Sequence, residues 1–454
     1  MTFPRLFPRA SRRPDGAASS SRPGGRAFAR GFSAMRHRNY RLYWFGQVGS
    51  LVGAWMQSVA LPWLVLELGG SPIQLGTVLA LMFAPSMFFA PLGGILADRV
   101  DKRKVLMIVN AVAMLQATMM FGLAASGVVE IWHVYLLALL AGFVNAVEMP
   151  VRQAFAAELV PNDDLVNAIA LNSTSFNLSR VIGPAIAGVT IAAFGVAINF
   201  GINAVSYLSV LVGLWMLDGA ALRRIDRPER FPSIRASLTE GIRFAIATPT
   251  VLWPLVLLGG MATFAMNFQT LLPLFTRNAL GLDSGGYGAL FAAMGAGSLA
   301  GSLMLAFTTS QRPMRGFIIG GGAVFLALEL ALGLVPSPLA AFPLVAGIGF
   351  ASMLMVNTIN VTIQNSVPDV LRGRVMSLYV TVFAGTAPIG GLLAGALAQG
   401  FGAAFAFSAG AALAMLVLGV VAWQMRSVRM PGSASATDGQ APRRRPPEIA
   451  SRAA

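Results

Sequence analysis

The sequence predicts an all-α membrane protein whose twelve transmembrane helices form two pseudo-symmetric six-helix bundles. Composition is the first observation behind this fold class. Hydrophobic residues make up 56% of 454 positions and charged residues only 11%, whereas about a quarter of a soluble protein is charged. The second observation is a series of long apolar stretches, and the third is an internal repeat that divides them into two sets of six.

Twelve apolar stretches each approach the roughly 20 residues that a helix needs to cross a bilayer. They cover residues 42–66, 73–97, 105–125, 132–151, 172–195, 199–217, 253–275, 287–307, 317–335, 339–360, 375–398 and 401–423. The fifth and sixth, and the eleventh and twelfth, are separated by only a few residues around Gly195 and Gly402. We therefore expect each of these pairs to form a tight helical hairpin.

The positions of the basic residues predict the orientation of the chain. Cytoplasmic loops of membrane proteins attract Lys and Arg. With the N-terminus placed inside, all of the 33 Lys and Arg residues except Arg180 and Arg277 fall on inside segments. We expect both termini in the cytoplasm. The net charge of +15 then reflects topology, and we expect no nucleic-acid partner.

The sequence has few residues of the types that catalysis and metal binding require. The chain has no cysteine and two histidines, so neither a disulfide framework nor a Cys-ligated metal site is expected. HExxH, P-loop and GxSxG patterns are missing from positions where they could work. We expect no enzyme activity, no metal and no cofactor.

The chain divides into five predicted segments: a basic tail (1–34), a first bundle (35–218), a central loop (219–250), a second bundle (251–425) and a second tail (426–454). The composition of the first tail fits a disordered segment or a transit peptide. The central loop contains SLTE (Ser237 to Glu240), which has the spacing of a helix capping box. A short helix on the inner membrane surface, with Leu238, Ile242, Ala245 and Ile246 on one face, and a solvated linker are both open.

An internal repeat relates the two bundles. "LVPNDDLVNAIAL" (159–171) aligns with "SVPDVLRGRVMSL" (366–378) at an offset of 207. The same offset pairs Gly183 with Gly390 and joins the two hairpin glycines. Parallel halves of this kind are typical of transporters whose substrate site lies between the halves near the membrane midplane.

Four segments carry a family resemblance. "GILADRVDKR" (94–103) resembles the Gly-x-Leu-x-Asp-Arg-x-Gly-Arg-(Arg/Lys) motif of the major facilitator superfamily, with Asp101 at the second glycine. "NYRLYWFGQVGS" (39–50), "MPVRQAFAAELVP" (149–161) and "LRGRVMSLY" (371–379) together resemble its bacterial enterobactin-exporter-like and macrolide-efflux-like branch. The resemblance covers residues 35–425 and implies the major facilitator fold in a bacterial inner membrane. We expect a monomer.

The resemblance also implies a gate. In that superfamily the charged loop after span 2 faces the beginning of span 11, and a helix N-terminus binds a carboxylate such as Asp98. Such a contact contributes about 0.3–2 kcal/mol, enough to bias a two-state equilibrium. The implied gating residues are Gly94, Asp98, Arg99, Arg103, Gly373 and Arg374. The alternative is that the basic residues only fix topology.

Three charged residues lie inside predicted spans, where a charge costs roughly 3 kcal/mol. Glu148 and Arg180 lie at matched depths of about 10–12 Å on consecutive helices, which predicts an ion pair. That pair could be structural, or Glu148 could titrate and couple protons to transport. Glu329 lies in the ninth span, which is peripheral in this fold, and we expect its side chain to extend toward the membrane surface.

Polar side chains at helical spacing on spans 1, 4, 7 and 10 indicate a substrate cavity, since these four spans line the cavity in the superfamily. Hydrogen bonding between helices is the alternative. The candidate cavity residues are Gln47, Ser50, Trp55, Gln57, Asn145, Thr263, Phe264, Asn267, Met353, Asn357 and Asn360.

The leading functional hypothesis is an exporter that works by alternating access. Protons are the expected energy source, because the chain has no nucleotide-binding signature. Gly183, Pro184 and Gly188 resemble part of the superfamily's exporter motif, and the expected cargo is an amphipathic small molecule such as a siderophore, macrolide or other drug. The alternatives are an uptake symporter or facilitator of the same fold and a non-transporting membrane receptor or scaffold.

Overall fold

The computed structural model describes residues 32–99, 101–223, 234–308, 314–335 and 337–428, without the side chains at 88, 90–99, 234–238, 306, 308, 314 and 369–370. In this part of the chain, eleven helical segments are long and apolar enough to cross a membrane. The apolar helix Pro72–Met87 is the described part of a twelfth. The predicted all-α fold of twelve membrane helices is confirmed. Both predicted tails lie almost entirely outside the described residues.

We number the membrane helices as spans 1 to 12. The bounds are Arg38–Glu67, Pro72–Arg99, Lys102–Ala125, Ile131–Leu159, Asn162–Phe194 and Ala197–Trp215 for spans 1 to 6, which form the first bundle. They are Pro249–Phe264 with Phe268–Asn278, Ser284–Thr308, Met314–Leu334, Pro338–Ser366, Asp369–Gly385 with Ala387–Phe401, and Ala403–Gln424 for spans 7 to 12, the second bundle.

Spans 7 and 11 are each broken into two helices, which the sequence analysis did not predict. In span 7 the N–H groups of Ala265 and Met266 both donate to the carbonyl of Met261 at 2.9 Å. In span 11 the break falls at Thr386, and Pro388 occupies the first turn of the second piece. Because proline lacks an N–H group, it is well tolerated in the first turn of a helix.

The backbone preserves the internal repeat. Gly195 ends span 5 with φ +83° and ψ 167°, and Gly402 ends span 11 with φ +86° and ψ 161°. Residues with a side chain rarely adopt this conformation, which glycine enters freely. The two predicted hairpins therefore share one turn geometry at equivalent positions of the two bundles.

Glycines join the bundles along two equivalent seams, spans 5 with 8 and spans 2 with 11. A Cβ built on Gly288 would lie 2.5 Å from the Cα of Gly188, and one built on Gly76 would lie 2.4 Å from the carbonyl oxygen of Gly391. Small residues allow such close backbone approach. Both contacts lie toward the end of the molecule away from the termini. We call that end the opposite face, and the end where span 1 begins and span 12 ends the terminal face.

The central loop contains a helix, Ile234–Ala247, which we call the linker helix. It packs on the beginning of span 11, where the Arg374 guanidinium donates to the Glu240 carboxylate and a Cβ on Gly241 would lie 3.2 Å from the Arg374 carbonyl. Ala245 is buried, but Ile242 and Ile246 are 43% and 62% exposed. The predicted helix exists, and its position on the inner membrane surface stays a prediction.

Candidate transport site

An arginine and three aromatic rings meet where spans 1, 5 and 8 converge. The guanidinium carbon of Arg180 lies 5.8 Å from the centre of the Trp55 ring. Trp55 contacts Phe176 at 5.6 Å and Phe291, from the second bundle, at 6.5 Å between ring centroids. We call Trp55, Phe176, Arg180 and Phe291 the Arg180 cluster. It lies on the junction between the bundles.

Two glycines allow the close contacts between helices that position the Arg180 cluster. A Cβ on Gly183 would lie 2.5 Å from the Cβ of Trp55, so spans 1 and 5 approach closely one turn beyond Arg180. A Cβ on Gly295 would lie 2.8 Å from the carbonyl oxygen of Arg180, which brings span 8 against the same turn. Arg180 is therefore held at the seam by the backbones of both bundles.

Glu148 pairs with a different arginine from the predicted one. Its carboxylate lies 3.7 Å from the Arg152 guanidinium, one turn along span 4, and the expected ion pair with Arg180 is not formed. Glu148 and Arg152 also act electrostatically on the hydroxyls of Tyr43 and Tyr207. The exposed fractions of the two charged side chains are 12% and 25%. This set, the Glu148 cluster, joins spans 1, 4 and 6 of the first bundle.

The predicted gating residues divide into described and undescribed ones. The side chains of Gly94, Asp98 and Arg99 lie outside the described residues. Arg103 donates to the carbonyls of Leu214 and Trp215, each at 2.9 Å, where a cation complements the C-terminal end of span 6.

At the beginning of span 11, Arg374 binds the linker helix. Among the described residues, no atom that can contact a Cβ built on Gly373 lies within 4 Å of it. The predicted contact between Asp98 and this helix end stays a prediction.

On span 1, the predicted polar stripe faces the interior of the first bundle. Gln57 donates to Gln116 at 3.3 Å and accepts from Asn203 at 2.6 Å, which places it between spans 1, 3 and 6 and away from the junction of the bundles. Gln47 and Ser50 are buried. For Gln57 the alternative reading, hydrogen bonding between helices, is the one that fits.

On span 7, the predicted residues lie at the helix break and face span 11. The Asn267 Nδ2 donates to the Thr263 carbonyl at 2.9 Å, and a Cβ on Gly390 would lie 2.7 Å from that carbonyl oxygen and 2.7 Å from Asn267 Oδ1. Phe264 packs in part against the apolar core of the second bundle. These side chains stabilise the break in span 7.

On spans 4 and 10 the predicted residues differ in exposure. Asn145 is exposed one turn from Glu148, and Met353 is half-buried. Asn357 donates to Ser302 of span 8 at 3.2 Å, and Asn360 accepts from Gln364 at 2.5 Å. Asn145 therefore stays the candidate with a free polar surface, while the two span 10 asparagines have partners within the second bundle.

The opposite face is closed by a contact between the bundles. The Arg277 guanidinium, in span 7, donates to the carbonyl of Leu66 at the end of span 1, at 2.6 Å. Trp63 stacks on Tyr287 of span 8 at 5.7 Å. A cavity of about 410 Å³ lies here, lined by Trp63, Glu67, Arg277, Gly281, Leu282 and Asp283. Arg277, the basic residue that fell outside in the topology prediction, holds this closure.

Glu329 is fully buried, and the prediction that it extends to the membrane surface was wrong. Its exposed fraction is 0%, and neither carboxylate oxygen has a partner among the described residues. On the same face, Gly322 two turns before Glu329 and Gly333 one turn after it pack on other spans of the second bundle. Span 9 is covered by spans 10 and 12 along this face, so the side chain points inward.

Comparison with known proteins identifies the family. Residues 29–451 match the model of a family described as transmembrane secretion effector, a branch of the major facilitator superfamily. The chain belongs to this family. Among curated members, the enterobactin exporter EntS of Escherichia coli O1:K1 is 29% identical over 381 residues, 81% of this chain and 89% of that protein. EntS of Escherichia coli O157:H7 strain EC4115 is 28% identical over 418 residues, 89% of this chain and 96% of that protein.

Solved structures of this superfamily share the fold. A mutant of the nucleoside transporter NupG superposes with a TM-score of 0.71 at 12% identity, over 87% of this chain and all of that one. A bacterial homologue of the human lysosomal transporter Spinster, in an inward-facing unoccupied conformation, superposes with a TM-score of 0.64 at 16% identity, over 86% and 96% of the two chains. The protein is a multi-pass membrane transporter of the major facilitator fold.

Sequence reasoning missed two members of the Arg180 cluster. Phe176 precedes Arg180 by four residues and Gly183 follows it by three, so all three share one face of span 5. That spacing could have predicted that Phe176 lies beside Arg180. No sequence pattern predicts Phe291, because its place in the cluster depends on how the second bundle docks against the first.

Proposed function

We propose that this transporter is an exporter driven by protons, which carries amphipathic small molecules across the bacterial inner membrane by alternating access. The observation that carries the proposal is the position of the seams. The glycine contacts of spans 5 with 8 and 2 with 11, and the Arg277–Leu66 hydrogen bond, lie on the side of the opposite face. Below Arg180, toward the terminal face, Val166, Ile169 and Phe176 of span 5 are 78%, 53% and 41% exposed.

This arrangement fits a state that is closed at the opposite face and receives cargo from the terminal face. The distribution of basic residues supports assigning the terminal face to the cytoplasm. The curated relatives are named as exporters of enterobactin, which supports outward transport. The proposed cargo is a siderophore, macrolide or other drug. The carrier works as a monomer.

Glu148 is the proposed site of proton coupling. Its partner Arg152 is on the same helix, so the pair can form and separate without movement of a second span. A proton on Glu148 removes its negative charge and breaks its ion pair with Arg152. The Arg152 guanidinium is then free to interact with the hydroxyls of Tyr43 and Tyr207, which belong to the neighbouring spans 1 and 6. Proton binding in the first bundle is thereby linked to the packing of span 1, which also carries Trp55 of the Arg180 cluster.

Everted membrane vesicles with an acid-inside gradient test the proposal. We expect accumulation of at least one compound from a panel of siderophores and macrolides, abolished by a protonophore. Glu148→Gln should lose gradient-driven accumulation and keep exchange of labelled for unlabelled compound, because the cargo site is intact. Glu130→Gln, an exposed carboxylate at the opposite face, is the matched control and should transport normally.

Two outcomes would contradict this account. Gradient-driven accumulation in right-side-out vesicles alone would make the protein an uptake carrier. Unchanged proton-driven transport by Glu148→Gln would exclude this carboxylate as the coupling site.

A further inference from the structure

Arg180, a cation at the junction of the bundles, forms no ion pair with a described acidic side chain. Its Nε is buried and has no hydrogen-bond partner. Glu148, the partner expected from the sequence, pairs with Arg152 instead. Among the described residues, the contact made by the Arg180 guanidinium is with the face of Trp55.

An aromatic face compensates a buried cation only in part. A cation–π contact is weaker than the solvation that an unpaired ion loses when it is taken out of water. The remaining donors of a guanidinium form a planar fork that matches a carboxylate or another oxyanion. The site therefore lacks an anion, and no described side chain supplies one.

The walls of the site are aromatic and come from both bundles. Trp55 and Phe176 belong to the first bundle and Phe291 to the second. Phe291 is buried, while Phe176, one turn toward the terminal face, is 41% exposed. A ligand that reaches Arg180 from the terminal face must pass Phe176 and meet Trp55, so a flat ring beside the acidic group suits these surfaces.

We propose that the Arg180 cluster is the subsite for the acidic group of the cargo, and that the transported molecules are amphipathic anions with an aromatic ring next to the acid. The proposal deepens the exporter function and rests on it. Because spans 1, 5 and 8 all contribute, an anion at Arg180 contacts both bundles at once. Its binding is thereby coupled to the seam that must open for release at the opposite face.

A binding experiment with paired probes tests the subsite without transport. The purified protein in phosphatidylcholine nanodiscs is titrated with 2-naphthoate and with 2-naphthamide, which differ in charge and hardly in shape. We expect the acid to bind about tenfold more tightly, since its carboxylate can form charge-assisted hydrogen bonds with Arg180 that the neutral amide cannot form. Arg180→Gln should remove this preference while leaving the weak binding of the amide, and Arg180→Lys should restore part of it.

Controls separate the cluster from general charge effects. Arg426→Gln makes the same charge change on an exposed residue at the terminal face and should keep the tenfold preference. Trp55→Leu should weaken both probes. Equal binding of acid and amide to the unaltered protein, or a preference that survives Arg180→Gln, would overturn the proposal.

Lipid phosphate is the competing source of an anion. Phosphatidylglycerol added to the nanodiscs should leave naphthoate binding unchanged. Competition that disappears in Arg180→Gln would assign the site to a lipid headgroup and overturn the cargo proposal. Because binding is measured without a gradient, an acid preference that persists in a protein without export would leave the subsite intact and reject only the exporter function.

Discussion

Gly288→Leu abolishes transport while leaving the protein folded and inserted in the membrane. In the structure the Cβ of residue 288 would lie 2.5 Å from the Cα of Gly188 and 2.6 Å from the carbonyl oxygen of Pro184. Backbone atoms at these distances cannot move aside without separating spans 5 and 8. A leucine therefore prevents closure of the opposite face. The carrier is then held in the state in which the opposite face is open.

Accessibility of one cysteine reports that trapped state. The chain contains no cysteine, so Ser284→Cys gives a single thiol in the seam, where the exposed fraction of residue 284 is 5%. A membrane-impermeant maleimide applied from the opposite face should label it slowly alone and rapidly with Gly288→Leu.

Gly419→Leu is the control for added bulk in a membrane helix. A Cβ on Gly419 meets no atom within 4 Å, so transport and slow labelling should both persist. If Gly288→Leu transports normally, the 5–8 seam does not close in the working cycle.

The second large effect concerns Glu329. Burial of a polar group without a hydrogen bond costs about 1–3 kcal/mol, and both carboxylate oxygens of Glu329 are in this position. Glu329→Leu should therefore raise the thermal unfolding midpoint of the purified protein. Glu329→Arg places a permanently charged group in the same apolar core and should prevent accumulation of folded protein, since an unpaired buried charge costs several kcal/mol.

Glu158 provides the matched comparison. Its carboxylate accepts from Lys102 at 2.6 Å, and the Lys102 side chain is only 11% exposed. Glu158→Leu leaves that ammonium unpaired and should lower the unfolding midpoint. A midpoint that falls with Glu329→Leu would indicate that this carboxyl has a partner in the membrane. A raised midpoint combined with lost proton-driven transport would make Glu329 a second proton-binding group.

Local sequence patterns predicted the membrane spans. Which residues meet at the candidate site depends on how the helices pack against one another. Apolar length predicts the helices because bilayer thickness fixes it, and the constant offset predicted that Gly195 and Gly402 take the same turn. The partner of Glu148 was predicted wrongly for an entropic reason. Arg152 lies one turn away on the same helix, so pairing there orders no second span, whereas a pair with Arg180 requires spans 4 and 5 to align.

Glu329 was mispredicted because hydrophobic pattern alone does not give the rotation of a span that is apolar all round. Small residues on one face, Gly322 and Gly333, were the available signal that this face packs inward. The break in span 7 had a weaker signal. Asn267 returns a hydrogen bond to its own helix, and such side chains compete with the helical backbone.

Distances between spin labels on the two bundles test alternating access most directly. In the cysteine-free chain, one pair of labels at Asn162 and Ser427 spans the terminal face, and another at Ser126 and Leu339 spans the opposite face; all four are exposed. We predict that an acidic shift or bound cargo shortens the first distance and lengthens the second in the same sample. Two distances that stay fixed, or that change in the same direction, would contradict the account.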